Sequence, residues 1–164
     1  MPSEESILAV QDNLASTYQL LGRGQQALHM RREVYSGGVK IYGTEHRETL
    51  VDANNVASSL MQLIRFEEAR SLLRKMIPVV RRVLGNSDEV TLKMMLIYAN
   101  ALSRDPGATL DDLREAVNTL EDLGRTARRV IVGEHPITTG IEDDLRDSRA
   151  TLRARETPPS ARTP

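Results

Sequence analysis

Three kinds of residue in this chain have chemistry beyond packing. The first is histidine. His46 and His135 each follow a glutamate, at Glu45 and Glu134. Imidazole beside carboxylate is raw material for metal binding or proton transfer. A metal, however, needs several ligands that converge. These histidines lie far apart in the chain and occupy equivalent places ahead of two helices. A packing role at the helix start is therefore expected, with no metal and no cofactor. The second kind is the basic pair, at Arg31-Arg32, Arg74-Lys75, Arg81-Arg82 and Arg128-Arg129. Such pairs can meet RNA phosphates. Positive charge near a helix C-terminus also complements the macrodipole, which accounts for Arg81-Arg82 without a ligand. The third kind is the acidic pair, at Asp111-Asp112 and Asp143-Asp144. Both pairs fall near helix N-termini, where carboxylates are favoured in any case. Gly22-Arg23-Gly24 lacks the third glycine and the preceding strand of a dinucleotide loop. No Walker sequence, His-Glu-x-x-His or Gly-x-Ser-x-Gly is present, so an enzyme is not expected.

The elements that must position these residues follow from composition. Apolar residues at 40 % and charged residues at 27 % describe a chain that folds in water. Aromatics are only 3 %, with Phe66 the sole Phe and no Trp. The core must come from Leu, Val, Ile, Met and Ala, which favours helices. A net charge of −1 with few stacking aromatics weighs against nucleic acid. The absence of Cys excludes disulfides and thiolate metal sites. No apolar run approaches the ~18 residues that suggest a membrane span. Met1-Pro2-Ser3-Glu4-Glu5 has no signal-peptide pattern, so the expectation is a cytoplasmic protein with no membrane partner.

The chain also repeats itself. Leu8, Asn13, Ala15, Leu21, Ala27, Arg32 and Gly43 recur 42 residues later as Leu50, Asn55, Ala57, Leu63, Ala69, Arg74 and Gly85. A third copy starts in register, with Ala57 becoming Ala99, and then shifts to an offset of 47, with Ala69 matching Ala116. The added residues lie around Arg104-Asp105-Pro106-Gly107-Ala108-Thr109, where Pro-Gly signals a turn between two helices. A partial fourth copy opens at Gly133-Glu134-His135-Pro136 and holds one helix only.

Each full copy reads as two helices. From Thr49 to about Leu63, the apolar set is Val56, Ala57, Leu60, Leu63 and Ile64. From Phe66 to Leu84 it is Ala69, Leu72, Leu73, Met76, Val80 and Val83. Both sets make one-sided stripes that only a neighbouring repeat can bury. Thr109 and Asp112 predict a capping box at the start of the sixth helix. Pro78, and Ser36-Gly37-Gly38 at the matching place in the first copy, predict a kink or break two turns before the second helices end; Gly124 lies one position away in the third copy.

The unit resembles the kinesin-light-chain type of tetratricopeptide repeat. The resemblance rests on Asn13-Leu14-Ala15-Ser16-Thr17-Tyr18, Asn54-Asn55-Val56-Ala57, Glu67-Glu68-Ala69-Arg70-Ser71-Leu72-Leu73 and Val83-Leu84-Gly85, and it covers roughly residues 3–155. It implies an all-α fold, a right-handed α-α superhelix (a tetratricopeptide-type solenoid) of antiparallel helix pairs. The repeat domain would span 1–155, with repeats at about 3–43, 44–85 and 86–133, a partial one at 134–155, and a disordered tail at 156–164. The family's small contact residues are matched by Ala15/Ala27, Ala57/Ala69 and Ala99/Ala116. Arg31 departs from the pattern, standing where later repeats have Leu73 and Leu120.

The resemblance also implies a concave groove lined by the first helices, which receives a peptide or helix of a partner protein. Carried over by position, repeat one supplies Asp12, Asn13, Ser16 and Gln19. Repeat two supplies Asn54, Asn55, Ser58 and Gln62. Repeat three supplies Lys93, Asn100 and Arg104, with Asp143, Asp144 and Asp147 at the far end. Asparagine suits main-chain recognition because its amide both donates and accepts. Two functions stay open at this point. One is a protein-interaction adaptor or scaffold. The other is a structural, self-associating segment of a larger protein or assembly, favoured by repeat ends that lack polar caps. RNA binding is the weakest alternative.

Overall fold

The computed structural model describes residues 1, 3–131 and 135–157. The expected disorder of 156–164 falls almost wholly outside them. Among the described residues there are seven α-helices and no strand: α1 (Glu4–Leu20), α2 (Gly24–Tyr42), α3 (Arg47–Gln62), α4 (Phe66–Leu84), α5 (Glu89–Ser103), α6 (Leu110–Val130) and α7 (Pro136–Glu156). Consecutive helices pack on one another through short connections. The inner helices also pack across repeats, α3 on α5 and α5 on α7. The result is an all-α helical-repeat solenoid. No described helix is long and apolar enough to cross a membrane.

Local chemistry explains the helix ends. The N-cap of each later inner helix falls at the same repeat position. His46 Nδ1 accepts the Glu48 N–H at 3.3 Å, Asp88 Oδ1 the Val90 N–H at 2.8 Å, and His135 Nδ1 the Ile137 N–H at 3.2 Å. These bonds satisfy donors that the helix itself leaves open. Both histidines are thus engaged in capping. The expected box at α6 is present: Thr109 Oγ1 accepts from the Asp112 N–H at 3.1 Å, and Asp112 Oδ2 accepts from the Thr109 N–H at 2.9 Å. α2 and α4 stop at Gly43 and Gly85, whose φ values of 89° and 86° suit glycine.

The core sits between the helix layers. Ala15, Ala27, Ala57, Ala69, Ala99 and Ala116 are all 0 % exposed, so the small residues lie where helices touch. Leu50, Leu73, Met94 and Leu102 fill the spaces around them. Burying each such side chain contributes about 1.5–3 kcal/mol. Periodicity misplaces two stripe residues. Ile64 lies in the α3–α4 turn, 71 % exposed, and Val83 is 37 % exposed near the end of α4.

Of the kink or break expected in the outer helices, the break does not occur in α2 or α4. α4 runs through Pro78 to Leu84, and α2 runs through Gly37 and Gly38 to Tyr42. The two glycines serve close packing instead. A Cβ on Gly37 would lie 2.6 Å from Leu8 Cδ2 of α1, and one on Gly38 would lie 2.9 Å from Asp52 Oδ2 of α3.

Candidate partner-binding groove

One junction between inner helices is open. No Cα of α1 comes within 8 Å of a Cα of α3, whereas α3–α5 and α5–α7 are in contact. The gap forms a cleft of about 290 Å³ floored by α2. Asp12 and Asn13 of α1 and Asn55 of α3 all line it. Neither asparagine side-chain amide is hydrogen-bonded to another described residue.

The remaining residues expected from repeats one and two continue along the same helices. Ser16, Gln19, Asn54 and Ser58 are half-buried, and Gln62 lies at the end of α3. Gln19 Oε1 and Asn54 Oδ1 are shielded from solvent and lack a hydrogen-bond partner among the described residues. An unmet polar atom of this kind costs about 1–3 kcal/mol until something satisfies it.

Repeat three is built differently. Lys93 is paired within its own helix, Nζ to Glu89 Oε1 at 2.6 Å. Asn100 Nδ2 donates to Asp144 Oδ2 at 2.7 Å, and Arg104 Nη2 donates to Asp144 Oδ1 at 2.8 Å. Asp144 therefore clasps α5 to α7 and occupies two of the three side chains expected to face a ligand. The Asn100 Oδ1 atom is left without a partner among the described residues.

The position of Arg31 also has a structural reason. Its Nη1 donates to Ser59 Oγ at 2.5 Å, a polar bolt from α2 to α3 where the other repeats use leucine. Other basic pairs are similarly engaged: Arg32 with Glu68, Arg74 with Tyr98, and Arg82 with Glu45. At the opposite end a hollow between α6 and α7 is lined by Arg128, Arg146, Arg149 and Arg153. There Arg128 pairs with Glu142, Arg146 with Asp143, and Arg149 with Glu121.

Of the acids in the α1–α3 cleft, sequence reading names Asp12 and misses the other three. Glu5 and Asp12 approach from α1, Glu48 and Asp52 from α3. Asp52 is half-buried, and its carboxyl is pushed up to about 6 by burial first, then by Asp12 and Glu48. Tyr42 of α2 also lines the cleft; burial, then Glu5 and Glu48, push its hydroxyl pKa up. The signal is present in the spacing. Glu5 and Asp12 stand seven apart and Glu48 and Asp52 four apart, so each pair shares one helix face. The other cleft positions on these two helices, Leu8, Ala9, Asn13, Val51 and Asn55, carry no cation.

Comparisons with known proteins agree with this architecture. Residues 7–48 and 53–89 match the tetratricopeptide repeat family. No curated protein matches the chain. Two solved structures of Podosopora anserina proteins, described as putative kinesin light chain with nearly identical TPR-like repeats, are similar to it. The first, a singly substituted form, has a TM-score of 0.75 at 24 % identity and covers 95 % of this chain and 72 % of its own. The second has a TM-score of 0.66 at 22 % identity and covers 96 % and 81 %. BtubC (BKLC) from P. vanneervenii aligns with a TM-score of 0.69 at 14 % identity, over 100 % of this chain and 71 % of that one. At these identities the likeness is one of fold.

Proposed function

This chain is a tetratricopeptide repeat protein, folded in the manner of kinesin-light-chain repeats, and from that premise we propose that it captures a peptide or helix of a partner protein along its inner helices, chiefly between α1 and α3. The fold itself is a protein-interaction scaffold. The observation that carries the finer reading is the pair Asn13 and Asn55. They are repeat-matched, both border the one open junction between inner helices, and neither amide is engaged within the described residues. Two such amides 42 positions apart can each donate to and accept from the main chain of a ligand, whatever its side chains. Ser16, Gln19, Asn54, Ser58 and Gln62 extend the same lining. Lys93, Asn100 and Arg104 contribute less, because Glu89 and Asp144 already hold them.

The test is a pull-down with the natural chain and the Asn13→Ala/Asn55→Ala variant as bait. Recovery of a bound protein should fall by about tenfold, the equivalent of one or two lost hydrogen bonds. Undiminished recovery by the variant would remove the asparagines, and with them this groove, from the binding site.

A further inference from the structure

Most acids in this molecule lie within ion-pair distance of an arginine or lysine. Asp144 with Arg104, Asp88 with Arg47 and Glu68 with Arg65 are examples from three different helix junctions and turns. Glu5, Asp12, Glu48 and Asp52 form no ion pair among the described residues, and all four line the α1–α3 cleft. Among the described residues, no arginine, lysine or histidine lines that cleft. Its walls also include the apolar side chains Leu8, Ala9, Val34 and Val51, which stand beside the carboxylates.

Gathering like charges in a half-dry cleft is unfavourable. Here it coincides with the one missing contact between neighbouring inner helices, so the charges face a space and not a packed surface. The shape and chemistry suit a long side chain with an aliphatic stem and a cationic head. The stem covers the apolar walls while the head reaches the acids. About 290 Å³ is room for one or two such side chains.

We propose that the α1–α3 cleft is a specificity pocket for a lysine or arginine side chain in a basic segment of the partner protein. This rests on the groove reading above and adds the charge of the ligand to it. The neighbouring Asn13 and Asn55 hold the main chain of that segment, and the carboxylates select its side chain. Solvation favours arginine over lysine here, since a guanidinium is more weakly hydrated and presents a fork to two carboxylates.

The probe is a fluorescein-labelled peptide, Gly-Ser-Arg-Lys-Arg-Lys-Ser-Gly, titrated into the whole chain at low salt and followed by anisotropy. A control peptide carries Glu in place of each Arg and Lys. Saturable binding of the basic peptide alone is expected, with amide NMR shifts centred on α1 and α3. The Asp12→Asn/Asp52→Asn variant should lose about tenfold or more in affinity, since truncating one side of a partly desolvated charge pair acts strongly on dissociation. Removing the half-buried charge of Asp52 should raise thermal stability at pH 7, so lost affinity with an unchanged circular dichroism spectrum is not lost folding. Equal affinity of natural and variant chains, equal binding of the acidic control, or shifts centred on α5–α7 would overturn the proposal. If the peptide fails while partner capture still depends on Asn13 and Asn55, only the charge assignment falls. If the asparagines are dispensable too, the groove reading falls with it.

Discussion

Asp52 carries an ordinary carboxyl in an unusual place. Beside the bare Cα of Gly38 and facing Asp12 and Glu48, it has a pKa pushed up from 3.8 to about 6. The folded protein therefore holds this proton more tightly than the unfolded chain does. Its stabilising contribution is complete below about pH 4 and is lost as pH rises through about 6. With solvent screening of a half-exposed group, the swing is on the order of 1–2 kcal/mol. Thermal melts across pH 4–8 should show that decline in the natural chain and its absence in Asp52→Asn. A parallel decline in the variant would assign it to other groups. The residue scale is also where sequence reading is weakest. Asn13 and Asn55 stand out because they repeat. Asp52 does not, because Val10 occupies its place in the first copy, and an acid without a repeat partner looks like ordinary solvated surface until the opposing helix is in view.

At the scale of the helix, spacing foretells existence and extent well. The α4 bounds agree with the expected Phe66 to Leu84, and the α6 cap forms from the residues expected. What spacing cannot weigh is packing. Gly37 and Gly38 weaken an isolated helix, yet in the fold they admit Leu8 and Asp52 to contact distance, and tertiary contact outweighs propensity. The α3–α4 turn shows the converse. Ile64 falls on the expected apolar stripe because Leu60 lies four residues earlier. Instead it holds φ 59°, the left-handed conformation that Gly22 adopts with φ 72° in the equivalent turn of repeat one. A β-branched residue there is strained by about 1–2 kcal/mol, and its exposed side chain packs against little. Ile64→Gly should therefore stabilise the chain by about 0.5–1 kcal/mol after the added freedom of the unfolded state is counted, a rise of about 2 °C in Tm by calorimetry. A fall in Tm would mean that Ile64 contributes packing that its exposure does not suggest.

The whole molecule is a stack whose stability comes from each helix pair covering the next. Along the inner face that stack is continuous from α3 to α7 and interrupted between α1 and α3. The two halves of the face consequently differ. The later half is tied together by Asp144 with Asn100 and Arg104. The earlier half leaves amides unengaged and acids unpaired around a cleft. The 42-residue echo makes the repeats legible, because helix pairs of fixed length are written into it. It cannot show the opening, because the repeat describes what the copies share and the opening is where they differ. The proposed function requires a partner segment to lie on α1 and α3. Amide hydrogen exchange of the chain with and without a captured partner segment measures this directly. Added protection is expected only at residues facing the cleft, around Leu8 to Asn13 and Val51 to Asn55. Changes confined to the outer helices α2, α4 and α6, with that stretch untouched, would contradict it.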